Sequence, residues 1–135
     1  MNIALMAHDG KKELMVQFCI AYCGILSGHD LCATATTGKL VAEATGLPIK
    51  LYLPAEQGGV QQIGARVAYN EIDLVLFFCN PSGAEDCDSV NEIARLCDQY
   101  NIPFASGVAT AEVLIQGLRR GDLDWRDIVN PKKKR

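Results

Sequence analysis

The chain has 135 residues, enough for one domain with one hydrophobic core. Hydrophobic residues make up 49% and charged residues 21%, the balance of an ordinary soluble globule, and a net charge of −3 leaves no basic footprint for nucleic acid. No apolar run reaches the roughly 18 residues of a membrane span, and Met1-Asn2-Ile3 lacks the basic flank of a signal peptide, so a cytoplasmic location is expected.

Strand and helix signals alternate along the chain. Ile3–Ala7 is a short apolar run, followed by a helical pattern from about Lys11 to Ile25. Leu31–Thr34 precedes a helix from about Thr37 to Thr45, and Ile49–Leu53 precedes one from about Val60 to Tyr69. Ile72–Phe78 is the most strand-like stretch and leads to a helix from about Ser89 to Tyr100. Ile102–Ala105 leads to a last helix from about Ala109 to Leu118. Continuous apolar strands alternating with helices predict an α/β fold. Its form is a three-layer, doubly wound, five-stranded parallel sheet of Rossmann-like type. One domain is expected over residues 1–130, with a basic tail over 131–135.

In such sheets ligands bind beyond the carboxyl ends of the strands. The segments His8–Lys12, Thr34–Gly38, Pro54–Val60, Cys79–Asp88 and Ser106–Thr110 therefore converge on one crevice. Thr34-Ala35-Thr36-Thr37-Gly38 offers hydroxyls and free amides at a helix start, which suits either an anion or a plain helix cap. Gly58-Gly59 also precedes a helix and permits close backbone approach to a ligand. Lys11 and Lys12 near a helix start oppose the helix dipole, which is explained if one of them turns toward a bound anion. The alternative is that Asp9 caps the helix and both lysines are solvated.

Cys19, Cys23 and Cys97 lie in helix-like segments and Cys32 and Cys79 at strand edges, with no small-scaffold pattern, so free thiols are expected. Cys79 and Cys87 admit a nucleophilic or redox role, or a metal site with His8, beside the plainer reading that both are neutral. Eight residues is not a zinc-motif spacing, and neither metal nor cofactor is expected.

Taken in order, several motifs resemble the methylglyoxal synthase family over nearly the whole chain, most like its short clostridial-type members. They are Ile3-Ala4-Leu5-Met6-Ala7-His8-Asp9 with Lys12, Thr34-Ala35-Thr36-Thr37-Gly38, and Gly58-Gly59-Val60-Gln61-Gln62-Ile63-Gly64-Ala65. Ile72–Phe78, Asn101-Ile102-Pro103 and Ala109–Glu112 continue the match. The resemblance implies a phosphate pocket built from His8, Asp9, Lys12, Thr34, Thr36, Thr37, Gly38, Gly58 and Gly59. It implies a homohexamer, and an arginine reaching the phosphate from a neighbouring subunit, for which Arg135 stands at a comparable place. The family reaction removes a proton from dihydroxyacetone phosphate and then expels phosphate to give methylglyoxal.

The departures from that pattern cluster on the site. The family base, an aspartate after the paired glycines, stands here as Val60, and valine cannot act as a base. A second acidic position is Asn80, and the histidine of the following loop is Cys87. Carboxylates that could substitute are Asp9, Glu56, Glu85, Asp86 and Asp88. The expectation is a homologue that keeps its phosphate site and binds a small phosphorylated or anionic ligand, with synthase activity at most about 10⁻³ of a family rate. By analogy, the same fold serves as an allosteric ligand-binding domain in carbamoyl phosphate synthetase. The rivals are an active synthase or related phosphate lyase using a substitute carboxylate or Cys87, and a structural partner of an active paralogue.

Overall fold

A computed structural model describes residues 1–82 and 87–129. Five strands form one fully parallel sheet in the order β3-β2-β1-β4-β5. They are β1 (Asn2–Ala7), β2 (Asp30–Ala33), β3 (Ile49–Leu51), β4 (Leu74–Phe78) and β5 (Phe104–Ala105). The helices are α1 (Lys12–Ala21), α2 (Cys23–Leu26), α3 (Ala35–Thr45), α4 (Gly59–Ala68), α5 (Asp88–Gln99), α6 (Val108–Arg120) and α7 (Trp125–Val129).

The central strands are buried on both faces, which is why their sequences read as unbroken apolar runs. Side-chain alternation still divides them. Ile3, Leu5, Leu74, Leu76 and Phe78 pack with Met15 and Phe18 of α1, Val41 of α3 and Ile115 of α6. Ala4, Met6, Val75 and Phe77 pack with Val60, Ile63 and Val67 of α4 and Val90, Ile93 and Cys97 of α5. The result is the expected three-layer architecture.

Several boundaries differ from the expected ones. The first predicted helix breaks at Tyr22, whose φ of −108° and ψ of 21° interrupt it. Gly24 adds little propensity to continue it. The Tyr22 ring packs at a tilt against Phe18 and its hydroxyl donates to Glu112 of α6, so tertiary contacts hold the break. α3 begins at Ala35, two residues earlier than expected, which makes Thr34 its cap residue. Strand β5 is only Phe104–Ala105, in keeping with the missing N–H of Pro103. Helix α7 has no counterpart in the sequence reading. It is fixed by Arg126, which is 1% exposed, bonds Asp73 at 3.2 Å, and also donates to the Asn101 carbonyl and the Asn70 side chain.

All six cysteines are free. Burial pushes the Cys19 and Cys97 thiols up to about 12 and Cys32 up to about 11, so these three are packing residues. Among the described residues no helix is long and apolar enough to cross a membrane.

Candidate functional site

The chain winds outward from β1 in both directions, so β1 and β4 flank the topological switch point. His8 follows β1 directly, and its amide donates to the Phe78 carbonyl at 2.9 Å, extending the β1–β4 pairing by one step. The amide of Asn80, just beyond β4, donates to His8 Nδ1 at 3.1 Å. With Nδ1 accepting, the neutral ring carries its hydrogen on Nε2, which leaves Nε2 a donor. The Phe77 ring meets the imidazole edge-on at 5.5 Å between centroids and limits its tilt.

A cavity of about 270 Å³ opens at this point. Its wall includes His8, Asp9, Lys12, Thr34, Glu56 and Val60, with Met6 and Phe77 as an apolar floor. The polar ones come from three separate strand-to-helix connections, and the sequence reading placed all of them at the crevice. Ser89, in the first turn of α5, also faces the cavity and was not singled out from sequence. The signal available for it was a hydroxyl at a helix start beyond the fourth strand.

Lys12 is the cavity's cation. Its side chain is only 16% exposed and pairs with Asp9, whose own side chain is 90% exposed. Hydrogen bonding from Lys12, and then its charge, hold the Asp9 carboxyl below its ordinary value. Lys11 turns elsewhere, toward a separate depression with Cys79 and Ser106. Of the two lysines, therefore, Lys12 is the one that lines this cavity.

Helix α3 points its amino end at the same region. Thr34 is 3% exposed and its side chain makes no capping hydrogen bond; the Ala35 amide donates to the Leu53 carbonyl at 3.4 Å. Thr37 is 1% exposed, and its Oγ1 has no hydrogen-bond partner among the described residues. A buried hydroxyl in that state is uncommon and costs stability unless a ligand or water completes it. Thr36 is exposed on the helix start, and neither it nor Thr37 forms the cavity wall.

The glycines have packing duties. A Cβ on Gly38 would lie 2.3 Å from a Leu51 methyl and 3.0 Å from the Ala33 Cβ, so the residue seats α3 on the sheet. Gly58 has φ of 101°, a conformation that glycine adopts without strain. A Cβ on Gly59 would lie 1.9 Å from the Leu53 carbonyl oxygen. Together they fold the Pro54–Gly58 turn against the start of α4, which brings Glu56 and Val60 to one wall.

Val60 is 3% exposed and presents hydrocarbon to the cavity. Asn80 and Cys87 are half-buried and Asp88 is exposed, and none of the three forms the wall. Asp86, Glu85 and Arg135 lie outside the described residues. His8, Cys79 and Cys87 are not drawn into a metal-binding group, and no cluster of that kind occurs among the described residues.

A larger cavity of about 470 Å³ runs beside the starts of β2 and β3, lined in part by Asp30, Lys50, Tyr52, Arg66 and Glu71. Its charges largely answer one another: Arg66 bonds Glu71 at 3.0 Å and Lys50 lies over the Tyr52 ring. It lies away from the carboxyl-end switch point, so the smaller cavity has the better chemical claim.

The family model for the MGS-like domain matches residues 15–106. The chain is 60% identical over 133 residues to a methylglyoxal synthase of Caldicellulosiruptor saccharolyticus, an alignment covering 98% of this chain and 94% of that one. It is 49% identical over 135 residues to a methylglyoxal synthase of Geobacillus thermodenitrificans, covering 99% and 94%. Among solved structures, a methylglyoxal synthase from Elizabethkingia anophelis superposes with a TM-score of 0.80 at 42% identity, covering 84% of this chain and 76% of that one.

Proposed function

The chain belongs to the MGS-like family, and from that premise we propose that its carboxyl-end cavity binds a small phosphorylated carbonyl compound of the triose phosphate class. The observation that carries this is the meeting of Lys12, Thr34 and the uncapped start of α3 beside His8 in one cavity. Amides at a helix start and a lysine together complement a phosphate. His8 Nε2–H then suits a carbonyl oxygen next to it. At about 270 Å³ the cavity lies below the roughly 300–1,000 Å³ of drug-sized sites, which favours a small ligand.

The same wall argues for weakened synthase chemistry. Proton abstraction needs a carboxylate within about 2.6–3.2 Å of the reacting carbon's proton, and Val60 supplies hydrocarbon at the position where the family pattern has an aspartate. We read the protein as a phosphorylated-ligand binder descended from, and built like, a methylglyoxal synthase, with the ordinary turnover reduced. Its function is then binding or regulation within a homo-oligomer formed by the single domain of residues 1–130. Exposed Leu40, Leu51 and Leu53 near the β3 edge supply apolar surface for self-association, which light scattering tests.

One observation favours a second reading, retained methylglyoxal formation: Glu56 faces the cavity from the same wall as Val60.

Calorimetry with inorganic phosphate tests the binding reading. The unmodified chain binds, and Lys12→Ala weakens binding by about tenfold, the size of one charge-assisted contact. Absence of binding at millimolar phosphate overturns it.

A further inference from the structure

Resting on phosphate binding and on the second reading above, retained chemistry at this cavity, we infer that Glu56 is its proton acceptor and takes over at the wall that Val60 leaves without a carboxylate. Among the described residues, only two carboxylates line the cavity, Asp9 and Glu56. They are in different situations. Asp9 is engaged by Lys12, and that pairing favours its ionised form, which makes it a weak base. Glu56 has no salt-bridge partner among the described residues and stands on the turn that packs against the start of α4.

The turn is held in place. The amides of Gln57 and Gly59 both donate to the Pro54 carbonyl, at 2.9 and 3.0 Å. The Leu53 amide donates to the Gln62 side chain at 2.8 Å, which ties the turn's entry to α4. Gly59 lies flat on the Leu53 carbonyl with no room for a side chain. Glu56 is therefore four residues before Val60 on a braced loop, with its side chain reaching the same space.

The chemistry balances without any added reactant. With phosphate at the start of α3, the C–H bond of the ligand's hydroxymethyl carbon breaks and its proton passes to the Glu56 carboxylate. The electron pair forms the C=C bond of an enediolate, and the carbonyl oxygen takes the charge beside His8 Nε2–H. From there, a solvent-derived proton returns to carbon and exchange results. Alternatively the hydroxyl on that carbon gives its proton to the neighbouring oxygen and becomes an aldehyde, the C=C pair shifts and the C–O bond to phosphate breaks, leaving phosphate and an enol that becomes methylglyoxal.

The test is proton NMR of dihydroxyacetone phosphate in deuterated water with the full chain, run beside calorimetry with inorganic phosphate. The unmodified chain incorporates deuterium at the hydroxymethyl carbon above the protein-free rate. Glu56→Gln lowers that rate by about 100-fold or more, the low end of a general-base contribution, while phosphate affinity stays within about twofold. Glu56→Asp, which keeps the charge and retracts it by one methylene, falls between them. Because Glu56 is exposed, these variants fold. Exchange by Glu56→Gln within about threefold of the unmodified rate overturns the assignment, since a lost base costs far more. So does phosphate binding without any exchange by the unmodified chain, which leaves the binding reading standing. Failure to bind phosphate overturns the binding reading itself.

Discussion

At the amino ends of the strands, Asp73 and Arg126 are 0% and 1% exposed and both have partners. At the carboxyl ends, Thr37 Oγ1 is as deeply buried and has none among the described residues. Asp73 accepts from the Asn2 amide at 2.8 Å and from Arg126, and Arg126 divides its remaining donors between Asn101 and Asn70. The Asp73–Arg126 pair is thus fully answered, whereas Arg66 at the same end keeps its Nε buried without a hydrogen-bond partner among the described residues. The other end leaves the Thr37 hydroxyl without a partner among the described residues and keeps a half-buried lysine beside a cavity. Buried polar groups cost free energy unless paired, so the open end is tolerable where a ligand completes it. The contrast teaches where this small domain places its rigidity and where it places its chemistry.

The comparison breaks most visibly at Arg126. Arg126→Ala leaves the Asp73 carboxylate buried without its cation, which costs about 3–5 kcal/mol of stability in urea unfolding. Phosphate affinity of the folded protein stays unchanged, because the residue lies at the far end of the sheet. A loss below about 1 kcal/mol would place the pair with ordinary surface ion pairs and remove one side of the contrast.

Gly59→Ala couples stability and binding. A Cβ placed 1.9 Å from the Leu53 carbonyl forces the Pro54–Gly58 turn outward, at about 1–3 kcal/mol by denaturation. Since the same turn carries Glu56, dihydroxyacetone phosphate exchange falls as well. Stability loss with full exchange would show that the turn's position does not matter to the chemistry.

The smallest expected effect is at Thr37. Thr37→Val removes a buried hydroxyl that has no protein partner in the described structure, so stability changes by less than about 1 kcal/mol in either direction. Phosphate binding measured by calorimetry weakens if that hydroxyl serves the ligand. A substantial destabilisation of the free protein would show that Thr37 is satisfied without ligand, and the two ends would then be alike.

Much of this was legible in the sequence for a local reason. Runs such as Ile72–Phe78 are continuous because parallel strands are buried on both faces, and that pattern alone implied the layered α/β fold. The placement of ligands beyond the carboxyl ends of parallel strands then collected His8, Lys12, Thr34, Glu56 and Val60 from the sequence alone. Ser89 escaped because a hydroxyl at a helix start reads as a cap.

Other features depend on distant partners and were decided only by tertiary structure. Helix α7 has little hydrophobic periodicity, and a buried guanidinium that meets a carboxylate 53 positions away holds it. The break at Tyr22 reflects a hydroxyl reaching Glu112, 90 positions on. The tautomer of His8 follows from the Asn80 amide, brought beside it by the pairing of β1 with β4. Which of Lys11 and Lys12 serves the cavity was also undecided in the sequence, because adjacent residues on a turn point apart and only the packed sheet fixes which one faces in. Periodicity and composition are local quantities and determine the elements, whereas hydrogen-bond partners and cavity walls arise from chain segments far apart in sequence.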